Sequence, residues 1–116
     1  PPVSAVGAGS LRGFSAEARQ AMRRAFITEA PRLLAAVNGG LDAGDGPAIA
    51  LAAHSLKGSA GYFGADELKE LCRQIEAAAD ADDLALVSSQ INAFAAAVAS
   101  AVAGAAHDNE KNPEQS

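Results

Sequence analysis

His54 has Lys57 three residues after it and glycines at positions 58 and 61, a spacing that brings all four to one side of a helix. A neutral imidazole near pH 7 is a nucleophile that needs no separate base. A phosphoryl group carried on it adds negative charge that a cation one turn away can balance. On a helical wheel of about 100° per residue, Ile49, Ala52, Leu56, Ala60 and Phe63 fall within roughly 80° of arc as a core stripe. His54 lies about 160° from the middle of that stripe, so its ring is expected on the outer face. Gly58 and Gly61 fall in the same outer sector, with Pro47 and Leu51 on the N-terminal side. An interior glycine costs about 1 kcal/mol against alanine in a helix, so two of them beside a histidine point to space kept for a bulky partner. The plainer alternative is a solvated surface histidine next to a lysine.

The elements that must position His54 are helical. The chain has 116 residues, 49% hydrophobic and 4% aromatic, with four Phe, one Tyr and no Trp. That composition suits one compact all-α domain and disfavours a sheet, which draws on β-branched and aromatic side chains. A formal charge of -5 is the wrong sign for neutralising a phosphate backbone, so nucleic acid is not an expected partner. The lone Cys72 excludes an internal disulfide or a multi-thiolate metal cage and suits a reducing compartment. Falling on a core stripe, it reads as a small buried hydrophobe. No HxxxH or HxxE pair supports a metal, and Asp80, Asp82 and Asp83 lack calcium-loop spacing. There is no phosphate-cradling GxxxxGK[ST] run, so a phosphoryl group must arrive from another protein. No uninterrupted apolar run reaches about 18 residues and no secretory signal opens the chain, so the domain is expected to make no direct membrane contact.

Four segments carry the 3.6-residue period. Ser15 is placed to cap a first helix with Met22, Phe26, Leu33, Val37 and Leu41 inward, which Pro31 is expected to bend or divide. Gly39, Gly40, Gly44 and Gly46 suggest a turn, and Pro47 suits the start of the histidine helix. Gly64 ends that helix. Asp66 is then expected to cap a third one with Leu68, Leu71, Cys72, Ile75 and Ala79 inward. A fourth runs from about Leu84 with Val87, Ile91, Phe94, Val98 and Val102 inward. Short connections predict an up-and-down antiparallel four-helix bundle over residues 14–106, with an N-terminal helical extension or a kinked first helix. Residues 1–13 read as a linker and 107–116 as a disordered polar tail holding His107. Opening on Pro1-Pro2 suggests a piece of a longer protein.

The run His54-Ser55-Leu56-Lys57-Gly58-Ser59-Ala60-Gly61, then Phe63-Gly64 and a helix reading Leu68-x-x-Leu71-Cys72-x-x-Ile75-Glu76, resembles a histidine-containing phosphotransfer domain. The resemblance covers roughly residues 15 to 105. It implies that His54 accepts a phosphoryl group from the aspartate of a response-regulator receiver domain and passes it to another receiver, with Lys57 beside the phosphoryl oxygens and Gly58 giving clearance. It implies no cofactor on this chain, Mg2+ belonging to the receiver. It also implies a place at the C-terminus of a hybrid sensor histidine kinase, in the cytoplasm and tethered to the inner membrane through that parent. Leu51, Gly61 and Tyr62 are the expected docking residues. A helix turning back around Gly64 brings Cys72 to Glu76 level with His54, so Glu76, Arg73 and Gln74 are candidates to orient its Nδ1. A gapless match to chemotaxis-kinase members of that family, where a glutamate orients the histidine, favours Glu76.

Two other functions compete with the carrier. One is a helical interaction module that docks a partner over the Pro47, Leu51, His54, Gly58 and Tyr62 face and never holds phosphate. Lys57 favours the carrier over it. The other is a small enzyme using His54 as general base, which needs a second catalytic group and a substrate pocket that the sequence does not offer.

Overall fold

The computed structural model describes the backbone of residues 13–115 and the side chains of 13–107. Most of the expected linker, residues 1–13, thus lies outside the described part. The chain forms α1 (Ala16–Ala43), α2 (Gly46–Tyr62), α3 (Asp66–Asp80) and α4 (Leu84–Gln115), with no strand among the described residues. Each helix packs on its two neighbours in a ring, α1 on α2, α2 on α3, α3 on α4 and α4 back on α1. Connections of two or three residues force consecutive helices to run antiparallel, which is the expected up-and-down bundle.

Local chemistry sets the helix ends. The Ser15 hydroxyl accepts from the Ala18 amide at 3.0 Å, and the Asp45 carboxylate accepts from the Ala48 amide at 3.1 Å. Gly44 closes α1 in the left-handed region at φ 68, where a Cβ would be strained. Asp83 caps α4 by accepting from the Leu86 amide at 3.1 Å. The expected capping by Asp66 is corrected: Ala65 holds the cap position without a side-chain bond, and Asp66 is already in the first turn, its charge facing the helix N-terminus.

Pro31 does not divide α1, which runs unbroken for 28 residues. The lost hydrogen bond and ring clash cost about 3 kcal/mol, but Phe26 and Ala30 before it and Val37 after it are buried. Burial contributes about 1.5–3 kcal/mol for each large apolar side chain, enough to hold both halves in one helix. Gly39 and Gly40 likewise lie inside α1 and not in a turn. At Gly40 α1 lies close against the start of α2, since a Cβ there would stand 2.7 Å from Ile49 Cγ1 and 3.3 Å from the Asp45 carbonyl oxygen. Gly40→Ala is therefore expected to destabilise by about 1–3 kcal/mol through overpacking, less roughly 1 kcal/mol of helix propensity. Gly39 faces open space, so Gly39→Ala gains that propensity alone. Thermal unfolding followed by circular dichroism should show the midpoint fall for the first and rise for the second.

The core unites Phe26, Val37, Ile49, Leu56, Leu68, Cys72, Ile75, Val87, Phe94 and Val98, with the Phe26 and Phe63 rings 4.8 Å apart. Helix α4 has no charged residue between Leu84 and His107 and is long and apolar enough to cross a membrane, with a mean hydropathy of 1.5. In this fold it is the fourth wall of the bundle, and Val87, Phe94, Ala97, Val98 and Ala105 are its buried positions. Its helical backbone continues to Gln115, beyond position 107 where a polar tail is expected. A helix already nucleated adds residues at little cost, so it can outrun the part that packs.

Candidate functional site

Helix α2 turns Ile49, Ala52, Leu56 and Ala60 into the core, which leaves Leu51, His54, Gly58 and Tyr62 on the opposite face. Leu51 is 69% exposed and Tyr62 46%, and both are among the large apolar side chains left at the surface. Between them the His54 side chain is 63% exposed. Gly58 has nothing within 4 Å of where a Cβ would stand, so the approach to the ring from that side is open.

Helix α3 supplies the other half of the site. Glu76 places Oε2 3.0 Å from His54 Nδ1, and its Oε1 accepts from Lys57 Nζ at 2.7 Å. One carboxylate thus joins two residues that are neighbours on α2. The hydrogen bond from Lys57 holds the Glu76 carboxyl below the ordinary carboxylate range, His54 adds to the effect, and partial desolvation opposes both. An ionised carboxylate only accepts hydrogen bonds, so Nδ1 must carry the proton. The neutral ring then has its lone pair on Nε2, on the far side from Glu76.

The other two candidates for orienting His54 are corrected. Arg73 grips Glu70 with two hydrogen bonds of 3.0 and 2.6 Å, and Gln74 donates to the same carboxylate at 3.0 Å while accepting from Gln90. These contacts hold the Glu70 carboxyl down at about 2. Gln74, two positions from Glu76, is turned about 160° away from it on α3, and Arg73, three positions away and about 60° round, is drawn to Glu70, so only one of the three meets His54. Gly61 is also corrected as a docking residue. It is buried against α3, with Lys69 Cδ 3.9 Å from where its Cβ would stand, because that flank of α2 is the one α3 covers.

Cys72 is fully buried behind the site, and burial pushes its thiol up to about 12, so it stays protonated and inert. Among the described residues no group of three or more His, Cys, Asp and Glu could hold a metal ion. Beside His54 runs an open groove lined by Pro47, Ala50, Leu51, Glu76, Ala79, Asp80 and Asp82. Its far wall was not foreseen. In sequence Asp80 and Asp82 show only that they lack calcium-loop spacing, and a signal for their place appears only once α3 is laid antiparallel to α2.

The bundle that carries this imidazole is matched in one of three comparisons with known proteins. No curated protein and no solved structure matches the chain. Residues 21–107 match the family model described as the Hpt domain, which includes both halves of the site and most of the bundle. The chain therefore belongs to the Hpt domain family, whose members carry phosphoryl groups in His-Asp phosphorelays.

Proposed function

We propose that His54 is the phosphoacceptor, taking its phosphoryl group from the aspartate of one receiver domain and giving it up to the aspartate of another. The observation that carries this is the Glu76 carboxylate on His54 Nδ1, which leaves the Nε2 lone pair free to attack. In the accepting step Nε2 forms a bond to phosphorus as the bond from phosphorus to the aspartyl oxygen breaks, and the aspartate leaves as a carboxylate. The ring keeps its Nδ1 proton and becomes cationic, a charge that Glu76 faces at hydrogen-bond distance. Lys57 Nζ has three protons and spends one on Glu76, so it can also donate to a phosphoryl oxygen. The return step is the reverse, and the domain acts as a carrier without a nucleotide site of its own.

The test is to mix the domain with a receiver carrying a radiolabelled phosphoryl group. Label should appear on this chain in an acid-labile, base-stable bond, as a phosphoramidate behaves. Absence of label, with receiver binding intact, would leave a docking module in place of a carrier.

Gly58 supplies a second check, because space beside His54 serves transfer and not folding. Gly58→Leu should fold at least as well as the parent, Leu being the better helix former by roughly 0.8 kcal/mol. Transfer should nonetheless slow by tenfold or more, on the order of what a misplacement of about 1 Å costs a reacting pair. An unchanged rate would show that the receiver does not approach over position 58.

A further inference from the structure

Taking the carrier role of His54 as given, we infer that the groove beside it selects receivers that present a basic side chain next to an apolar one. The groove has an apolar floor and an acidic rim. Pro47, Ala50 and Leu51 of α2 and Ala79 of α3 make the floor, and Asp80 and Asp82 stand at the end away from His54. Both aspartates are exposed, and neither makes an ion pair among the described residues. No lysine or arginine lines the groove.

The rim is held in place by a close approach of backbones. A Cβ at Gly46 would stand 2.9 Å from the Ala79 carbonyl oxygen and 3.5 Å from Asp82 Oδ1, so the start of α2 lies directly on the end of α3. Asp82 itself has a left-handed backbone at φ 59, which fixes where its side chain leaves the turn.

Charge decides among the possible occupants. Unpaired carboxylates repel a free phosphate or an anionic lipid surface, and a second copy of this chain brings its own formal charge of -5. A basic residue on the docking partner is favoured, with an apolar neighbour to cover Leu51 and Ala50. On the opposite flank of His54 the cations Lys57, Lys69 and Arg73 stand among Asp66 and Glu70. The two flanks therefore differ in charge, and a receiver that sets its basic residue on Asp80 and Asp82 is oriented about His54 as well as bound. Exposed charge pairs of this kind act mainly through encounter and register, and are screened by salt.

The test compares Asp80→Asn/Asp82→Asn with the parent, Asn being a residue that tolerates the left-handed backbone at position 82. Two phosphorylated receiver domains serve as probes, one with a basic and one with an acidic surface around its phosphoryl aspartate. Transfer is measured at subsaturating receiver, at low and high salt. Each rate is divided by the rate at which phosphoramidate, a donor with no docking surface, labels the same variant, so a change in His54 nucleophilicity cancels. Transfer from the basic receiver should fall about three- to twentyfold at low salt, the range expected for one or two rim charge pairs, and the deficit should shrink at high salt. The acidic receiver should lose nothing. Equal losses for both receivers, or no loss for either, would overturn the selection by charge while leaving the carrier role standing. Failure of both receivers to label the parent would overturn the carrier role, and this inference with it.

Discussion

Replacement of His54 by Gln should abolish phosphoryl acceptance and leave the bundle standing. The amide has no nucleophilic nitrogen, so incubation with a labelled receiver should leave the variant blank. Folding should hardly change, because the side chain is 63% exposed and its one described contact is the hydrogen bond to Glu76. Removing an exposed charge-assisted contact costs about 1 kcal/mol or less, and Glu76 keeps its bond to Lys57. A domain of this size then loses a few degrees of thermal midpoint at most. Undiminished labelling would refute the site, and loss of the helical circular-dichroism signal would refute the placement of His54 outside the core.

The next largest effect is expected at Glu76, because one carboxylate serves two partners. Glu76→Ala frees the His54 ring to rotate and to exchange tautomers, and it leaves Lys57 without its ion pair. Hydrogen bonds to charged groups are worth about 1.5–3 kcal/mol, so transfer should slow by roughly tenfold to a hundredfold if most of that is felt in the transition state. Glu76→Gln separates the two contacts. Its amide oxygen still accepts from Nδ1, while the charge that holds Lys57 is gone, so its rate should lie between those of Ala and the parent. A Gln variant as slow as Ala would mean that the charge, and not the orientation of the ring, is what matters.

Acid gives the same residue a second readout. The Glu76 carboxyl titrates below its unfolded value, so the stability it contributes is fully present above the ordinary carboxylate range and is lost as pH falls through the depressed folded value. The stability gap between the parent and Glu76→Gln should therefore be flat from neutral pH to about 5 and close as the pH drops further. A gap that closed between pH 8 and 6 would show that another group governs it.

Much of this protein can be read from periodicity. Apolar residues at helical spacing place Leu56 and Cys72 inward and His54 and Leu51 outward whatever the neighbouring helices do, since both follow from where a residue falls on its own helix. Short connections then leave an antiparallel bundle as the economical arrangement, and the antiparallel return of α3 brings the level of Glu76 to His54. Such inferences fail where two helices must be known together. Gly39 and Gly40 look alike in sequence, yet one faces open space and the other is pressed against Ile49. Gly58 and Gly61 share a sector on the wheel, yet α3 covers only Gly61. Arg73, Gln74 and Glu76 are all polar residues of α3 near the right height, and only Glu76 reaches both His54 and Lys57. The same is true of Asp80 and Asp82, which join the histidine face only because Gly46 lets the start of α2 lie on the Ala79 carbonyl. Local sequence determines which side of each helix is apolar, because that depends on one period. Which flank meets which depends on how closely the helices approach and how each is rotated, and side-chain volumes at a few contact points such as Gly40 and Gly46 decide both.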